Sequence, residues 1–245
     1  MDFSTIDRYL REKLLIDKIP DISINGLQVG QMYKDIRTVS FAVDANIKTI
    51  KKAIKNGSDL LIVHHGIFWG KQFPLIGSNY EKIRLLVENK LSLYAIHLPL
   101  DMHKELGNNY TIAKILGIRE LKDFGNYHGI NIGCWGIYDG DLDAVRKLSS
   151  TVSIFINNDR KIEKVAIVSG KAGTEIMEEY ISSGLDLFIT GEIEHSIYNR
   201  ILDADVNVIA LGHYESEKFG LLELEKDLKN TFNINTFFID CPTFF

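Results

Sequence analysis

Apolar residues fall along this chain in two alternating patterns, short continuous runs and longer runs with helical spacing. Apolar positions in residues 3–15 recur every three or four residues, which predicts an amphipathic helix. Residues 36–43 are rich in β-forming side chains and predict a strand, and a helix lined by isoleucines should follow over residues 47–54, capped by Asp44. The next apolar run, residues 60–63, completes a strand–helix–strand unit, which favours a parallel sheet.

The same succession continues to the end of the chain. Further helices are predicted over residues 80–89, 108–116, 142–148, 174–182, 193–202 and 216–228, and further strands over residues 91–96, 130–137, 152–156, 165–168, 185–189, 206–210 and 235–239. The polar, glycine-containing stretch 122–129 is the predicted boundary between two lobes. We therefore predict an α/β protein of two intertwined lobes with mixed, largely parallel sheets. Residues 1–125 with 205–245 should form the first lobe, and residues 126–204 the second.

The composition is that of a globular protein, since 45% of the 245 residues are hydrophobic and 25% are charged. The 33 acidic and 28 basic residues give a net charge of −5, which argues against a broad nucleic-acid-binding surface. No apolar run approaches the ~20 residues of a membrane span, and the amphipathic N-terminus lacks the apolar core of a signal peptide. We expect a cytoplasmic protein without a membrane partner, in which Cys134 and Cys241 are buried, reduced thiols.

Side chains that can bind metals or carry protons collect at the ends of predicted strands. These side chains are His64, His65, His97, Asp101, Glu192 and His213. In open α/β sheets ligands bind at the C-terminal ends of the strands, and imidazole is the commonest metal ligand in proteins. Two consecutive histidines on an extended chain point to opposite sides, so His64 and His65 would more easily serve two neighbouring ions than chelate one. Such pairs also occur as ordinary loop residues.

His213 and Glu217 lie four residues apart where a predicted strand passes into a helix, so both side chains should reach one ion. Glu215 should point elsewhere. The alternative for Glu217 is an acidic residue that stabilises a helix N-terminus. The candidate ligands are His64, His65, Asp101, His213 and Glu217. Three imidazoles and two carboxylates suit Zn²⁺, Fe²⁺, Mn²⁺ or Ni²⁺, and the lack of thiolates disfavours a purely structural zinc site.

Two divalent ions that share a carboxylate would generate a hydroxide at neutral pH and clamp the attacked atom, and Glu217 is suited to bridge them. His97 and Glu192 have no necessary ligand role, so we predict that they are catalytic acid–base groups or partners that orient a ligand. The alternative for His97 is a hydrogen-bonded core histidine. Phe68 and Trp69 follow the paired histidines and could stack a base, or could pack in the core or a subunit interface.

Six motifs occur in order along the chain. They are Asn-Gly-Leu-Gln at 25–28, HHGIFW at 64–69, HLPLD at 97–101, ELGNN at 105–109, ITGE at 189–192 and GHYESE at 212–217. Together they resemble the NIF-three-like family, also catalogued as GTP cyclohydrolase 1 type 2. The resemblance implies two intertwined α/β lobes, a dinuclear metal centre in the cleft between them, and assembly into a toroidal homohexamer. By motif, the five candidate ligands fall on the metal ligands of that family, with Glu217 as the bridge.

The resemblance implies a metal-dependent hydrolase that holds two divalent ions per chain and acts on a nucleotide-like substrate, by opening the guanine imidazole ring of GTP. The alternative is a non-enzymatic, metal-binding regulatory or scaffold protein that interacts with nucleic acid or a protein partner. The two hypotheses differ in their consequences. The hydrolase should turn over its substrate, whereas a DNA-binding protein should show an affinity that falls with salt concentration.

Overall fold

A computed structural model describes residues 1–243 of the chain. The chain divides into two units, each with its own core. Unit 1 is Met1–Leu100 with Leu221–Cys241, and unit 2 is Asp101–Gly220 with Pro242 and Thr243. The chain returns from unit 2 to unit 1 inside a 20-residue helix, so unit 1 is built from two separate segments.

The helices in chain order are α1 (Phe3–Leu14), α2 (Ile47–Lys55), α3 (Gly77–Glu88), α4 (Leu98–Met102), α5 (Asn108–Leu116), α6 (Leu142–Arg146), α7 (Thr174–Ser183), α8 (His195–Asp203) and α9 (His213–Phe232). The strands are β1 (Gly26–Val29), β2 (Thr38–Asp44), β3 (Leu60–His65), β4 (Ser92–Ala95), β5 (Arg119–Tyr127), β6 (Ile130–Ile137), β7 (Ser153–Phe155), β8 (Lys164–Lys171), β9 (Leu187–Glu192), β10 (Val208–Ala210) and β11 (Asn235–Phe238). The predicted mixed α/β class is confirmed.

Unit 1 is built on a five-stranded sheet with the order β1-β4-β3-β2-β11, in which only β1 is antiparallel to its neighbour. Both faces of this sheet are covered. Leu93 and Ala95 of β4 pack with apolar side chains of α2 and α3, whereas Tyr94 contacts Phe3 of α1. Because successive side chains of a strand point to opposite faces, β3 is apolar without interruption from Leu60 to the histidines.

Unit 2 contains a six-stranded sheet with the order β5-β6-β8-β9-β10-β7. The central strands β8, β9 and β10 are parallel, and the pairs β5–β6, β6–β8 and β7–β10 are antiparallel. Ile167, Ile189 and Ile209 from the parallel strands pack with Ile112 of α5 in a buried core. Parallel pairing therefore dominates the sheet of unit 1, and antiparallel strands flank a parallel centre in unit 2.

The predicted lobe boundary at residues 122–129 is wrong, because this stretch is the end of the β5–β6 hairpin. Tyr127 pairs with Ile130, and the two residues between them, His128 and Gly129, have φ angles of 50° and 89°. Positive φ at both central residues belongs to the hairpin turn whose twist matches that of the strands. Strand β5 was missed because most of its side chains are polar and exposed.

The unit boundaries lie elsewhere than the predicted division into residues 1–125 with 205–245 and residues 126–204. Pairing of β5 with β6 assigns residues 101–125 to unit 2, and pairing of β10 with β7 and β9 keeps the chain in unit 2 as far as Gly220. The candidate ligands divide accordingly. Unit 1 contains His64 and His65, and unit 2 contains Asp101, His213 and Glu217.

Helix α2 is capped by Asn46 and not, as predicted, by Asp44. The Asn46 side chain accepts a hydrogen bond from the backbone N–H of Thr49 at 2.9 Å, and the Thr49 hydroxyl accepts one from the backbone N–H of Asn46 at 3.0 Å. This reciprocal capping box satisfies two N–H groups that have no partner within a helix. Asp44 therefore remains the last residue of β2, where its side chain has another role.

Within residues 1–243, no helix combines the length and apolar character that crossing a membrane requires. Both cysteines are buried and neither forms a disulfide, as expected. Burial raises the pKa of the Cys134 thiol to about 12, so this thiol stays protonated near neutral pH.

At Gly133, β6 leaves no room for a side chain against the backbone of β8. A Cβ added there would lie 2.2 Å from the Ile167 carbonyl oxygen and 2.6 Å from Val168 Cγ2. Because that carbonyl belongs to the sheet, we expect Gly133→Ala to lower the free energy of unfolding by about 1–3 kcal/mol in urea denaturation. Gly173→Ala is the matched control, since nothing lies within 4 Å of its added Cβ. It should cost less than about 1 kcal/mol, and equal losses would contradict the packing described.

Candidate metal centre

Three histidines of unit 1 lie together at the C-terminal ends of adjacent parallel strands. β3 ends at His64 and His65, and His97 follows β4. The ring centroids are 4.7 Å apart for His64 and His65, 5.0 Å for His64 and His97, and 5.7 Å for His65 and His97. One ligand atom from each ring lies within 4.8 Å of the other two. This is the convergence that the strand ends predicted for the unit 1 residues.

The rings of His64 and His65 lie close together even though consecutive side chains of a strand leave on opposite faces. His64 Nδ1 donates to the carbonyl oxygen of Ile96 at 2.9 Å, just after β4. His65 Nδ1 is 2.8 Å from the carboxylate of Asp44, at the end of β2. Because β3 lies between β4 and β2, each ring is anchored to a different neighbouring strand, and both rings are held at the strand end.

His97 is anchored by Asp21, which the sequence analysis did not single out. His97 Nδ1 lies 3.0 Å and 3.1 Å from the two Asp21 oxygens. The Asp21 side chain is 1% exposed and also accepts hydrogen bonds from Ser23 N, Asn25 Nδ2 and Leu98 N. Burial raises the pKa of Asp21, but the hydrogen bonds, led by the one from His97, outweigh it and hold this pKa below its usual value. Asp21 is therefore an ionised carboxylate at neutral pH.

The Asn-Gly-Leu-Gln motif supports the loops that carry the histidines. Gln28 Oε1 accepts a hydrogen bond from Ile67 N at 2.6 Å, in the loop after His65. Gly66 allows this contact, because a Cβ there would lie 2.4 Å from the Gln28 side-chain amide. Asn25 Oδ1 accepts from the backbone N–H of His97 at 2.7 Å. The motif thus holds both strand ends in place.

In unit 2, Asp101 is oriented by a buried polar network. Its Oδ1 accepts hydrogen bonds from Asn108 Nδ2 at 2.8 Å and from Ser169 Oγ at 2.9 Å. Asn109 Oδ1 in turn accepts from the backbone N–H of Ser169 at 2.6 Å. Both asparagines are fully buried at the start of α5. The two polar residues that end the ELGNN motif therefore serve to orient Asp101 and Ser169. Such a network fixes the direction of the carboxylate only when every member is satisfied.

His213 and Glu217 lie on the first turns of α9, with 3.2 Å between His213 Nε2 and Glu217 Oε2. The spacing of four thus brings the two side chains together as predicted. Glu215 forms a salt bridge with Lys218 and points elsewhere, also as predicted. Glu192, the last residue of β9, has a carboxylate oxygen 3.4 Å from His213 Nδ1. Unit 2 therefore gathers one imidazole and two carboxylates in one place.

The last residues of β8 approach this group closely. Gly170 has a φ of +64°, and a Cβ there would lie 2.1 Å from Glu217 Oε1 and 3.5 Å from His213 Nε2. Only glycine fits both the backbone conformation and the space. The Gly170 backbone N–H also donates to Ser216 Oγ at 2.9 Å. Gly170 thus allows β8 to pack closely against the Glu217 carboxylate.

The aromatic residues after the paired histidines have different surroundings. Phe68 stacks on Phe73, with ring centroids 5.6 Å apart, at the edge of the unit 1 core. Trp69 donates its indole N–H to the carbonyl oxygen of Gly66 at 3.1 Å, and its ring meets that of His97 edge-on at 5.0 Å. The Trp69 ring therefore lies beside the histidines, whereas Phe68 contributes to the hydrophobic core of unit 1.

The side chains present fit a divalent transition metal. The hydrogen bonds that His64 and His65 make through Nδ1 leave Nε2 as the nitrogen that bears the lone pair, the arrangement found in metal-binding histidines. The Asp44–His65 pair is a carboxylate–histidine contact of the kind that orients metal ligands. Sequence reasoning noticed Asp44 but assigned it to a helix cap, and the signal it overlooked was the position at a strand end.

Comparison with known proteins places these features in a family. Residues 1–243 match the family model for Duf34/NIF3 (NGG1p interacting factor 3). A protein of Pyrococcus horikoshii named GTP cyclohydrolase 1 type 2 homolog is 40% identical over 251 residues, which cover 99% of each chain. A protein of Deinococcus radiodurans with the same name is 38% identical over 243 residues, 96% of this chain and 92% of that one.

Solved structures agree with this comparison. TTHA1606 from Thermus thermophilus is 36% identical, with a TM-score of 0.88 over 99% of each chain. Reduced HcgD from Methanocaldococcus jannaschii is 25% identical, with a TM-score of 0.87 over 98% of each chain. Since the family model spans almost the whole sequence and the relatives are similar from end to end, this chain belongs to the Duf34/NIF3 family.

Proposed function

We propose that this protein is a dinuclear-metal hydrolase that acts on a nucleotide-like substrate, with GTP cyclohydrolase-type ring opening as the reaction. The observation that carries the proposal is the presence, in each unit, of metal-binding side chains already oriented by hydrogen bonds. His64 and His65 are anchored through Nδ1 in unit 1, and Asp101 is anchored through Oδ1 in unit 2. The names of the relatives supply the reaction class.

In this proposal, two divalent ions are bound per chain, each of them Zn²⁺, Fe²⁺, Mn²⁺ or Ni²⁺. The ligands are His64, His65, Asp101, His213 and Glu217. Glu217 would be the ligand shared by both ions, because a carboxylate offers two oxygens and this one is 3% exposed. When bound, such ions act as Lewis acids and lower the pKa of a bound water.

The protein's own groups must then move a proton. Hydrolytic opening of the guanine imidazole ring forms a bond from water oxygen to the carbon between the two ring nitrogens, breaks one carbon–nitrogen bond and transfers a proton to the departing nitrogen. His97, held through Nδ1 by Asp21, can accept a proton at Nε2. Glu192, beside His213, can accept one at its carboxylate. Trp69 offers an aromatic surface next to His97 for a purine ring.

The metal content tests the centre directly. Untagged protein purified without chelator should contain about two divalent ions per chain by elemental mass spectrometry. Glu217→Ala should lose both ions together, because the bridging carboxylate holds each of them, and His65→Ala should also lose metal. The exposed histidine of α8 provides the control, His195→Ala, which should retain both ions. Wild-type protein without metal, or full occupancy in both ligand variants, would contradict the proposed centre.

The reaction is tested by incubating the metal-loaded protein with GTP. We expect a ring-opened formamidopyrimidine nucleotide to appear in the presence of at least one of the four metals, and formate to follow when a second water breaks the remaining carbon–nitrogen bond. Glu217→Ala should form neither product, which separates turnover by this protein from a contaminating activity. If wild-type protein with full metal occupancy forms neither product with any of the four metals, GTP is not the substrate, and the screen moves to other nucleotide-like compounds.

We also propose assembly into a toroidal homohexamer, the state that similarity to the family implies. Large apolar side chains on the surface of unit 1 support an interface there. They include Ile22, Ile24, Leu75, Ile76 and Tyr80, which are between 49% and 71% exposed in the single chain. Six chains of 27.8 kDa should give a mass of about 167 kDa by light scattering. A monomer or dimer at micromolar concentration would contradict this state.

A further inference from the structure

The three histidines of unit 1 share one feature that the family resemblance does not include. Each Nδ1 lies against an oxygen that can only accept a hydrogen bond. The distances are 2.9 Å from His64 to the Ile96 carbonyl, 2.8 Å from His65 to the Asp44 carboxylate, and 3.0 Å from His97 to the Asp21 carboxylate. All three Nδ1 atoms therefore carry the proton. In the neutral ring the lone pair is then on Nε2.

The three rings also converge. One ligand atom from each of His64, His65 and His97 lies within 4.8 Å of the other two, and the closest centroids are 4.7 Å apart. Ligand nitrogens of a tetrahedral zinc ion, with bonds of about 2.0–2.1 Å, lie about 3.4 Å from one another. Neutral imidazoles in a single tautomer are the donors that such an ion requires.

His97 is oriented in the way that metal-binding histidines usually are, by a carboxylate that accepts a hydrogen bond from Nδ1. Asp21 contacts His97 as Asp44 contacts His65, through a carboxylate on Nδ1. Asp21 is itself immobilised by backbone N–H groups from Ser23 and Leu98. A buried carboxylate that orients a histidine is the usual outer partner of a metal ligand and increases its basicity.

We propose that His97 is a metal ligand, whose Nε2 joins those of His64 and His65, so that unit 1 offers three imidazole nitrogens to the metal centre. The inference rests on the proposed metal centre and extends it. It also decides between the two proton carriers: with the lone pair of His97 on a metal ion, the proton transfer belongs to Glu192. Asp21 is then a positioning residue that acts through His97.

The competing interpretation is a histidine that Asp21 orients for proton transfer alone, as an aspartate does in a catalytic triad. Both interpretations require the same tautomer, so the hydrogen bonds cannot separate them. Metal affinity and the spectrum of the bound ion can, because a histidine that only transfers protons neither holds the ion nor supplies one of its nitrogen ligands.

The test is a titration of the metal-free, full-length protein with Co²⁺, followed by visible absorption and by competition with a chelating dye. His97→Ala should bind one ion at least 10-fold more weakly than wild type. Loss of an outer partner alone weakens metal binding by about 10-fold to 100-fold, and loss of a ligand should cost no less. The Co²⁺ absorption band should change in the same variant, because one nitrogen ligand is missing. His195→Ala, the surface control, should bind Co²⁺ as the wild type does.

A second measurement does not depend on any variant folding. In wild-type protein labelled with ¹⁵N-histidine, metal-free His64, His65 and His97 should show the Nδ1-protonated pattern, with peaks assigned by through-bond correlation to the backbone. Added Zn²⁺ should shift the Nε2 resonance of His97 together with those of the other two.

Results that contradict His97 as a ligand differ from results that contradict the metal centre. Wild type that binds two Co²⁺ ions, with affinity and spectrum unchanged in a folded His97→Ala, overturns the role of His97 and leaves the proposed centre standing. A His97 Nε2 resonance that stays in place on Zn²⁺ binding has the same meaning. Wild type that binds no Co²⁺ overturns the metal centre itself.

Discussion

The parallel register of β2, β3 and β4 is the constraint on which the unit 1 group depends. In this register Asp44 is paired with His65, and Val63 with Ala95, so three strands end side by side. The pairing places a carboxylate, two imidazoles and the turn that carries His97 at one edge of the sheet. A shift by one residue would exchange the faces of every side chain and separate His65 from Asp44. The chemistry of this edge is therefore a consequence of how the buried core strands align.

The candidate metal ligands of unit 2 are also held in place, but by contacts of a different kind. Its acidic residue on α4 is oriented by buried amides and a hydroxyl, and its histidine–glutamate pair is placed by the first turns of a helix. Glycine at position 170 lets the backbone approach the Glu217 carboxylate without a side chain in between. In both units the side chains that could bind a metal are therefore already oriented by hydrogen bonds from surrounding residues, which lowers the entropic cost of metal binding.

Several residues outside the proposed ligand set orient the side chains and loops that the proposed chemistry requires. Asp21 and Asp44 determine which nitrogen of His97 and of His65 carries the proton. Gln28 and Asn25 hold the loops that follow the strands. A functional group and its support are separated here by 21 to 76 positions in the chain. The positions of the histidines consequently depend on the packing of the whole of unit 1.

The sequence alone determined the elements with strong apolar periodicity, the α/β class and the family. Helix α5 and strand β6 begin and end at the predicted residues, because periodicity reports local burial directly. It also identified the strand-end histidines and the His213–Glu217 pair, since both depend on short spacings. Only the tertiary structure decided that polar β5 is a strand, that Asn46 caps α2, and that Asp44 and Asp21 orient histidines. Those outcomes depend on hydrogen bonds between distant segments, which no local pattern of hydrophobic and polar residues contains.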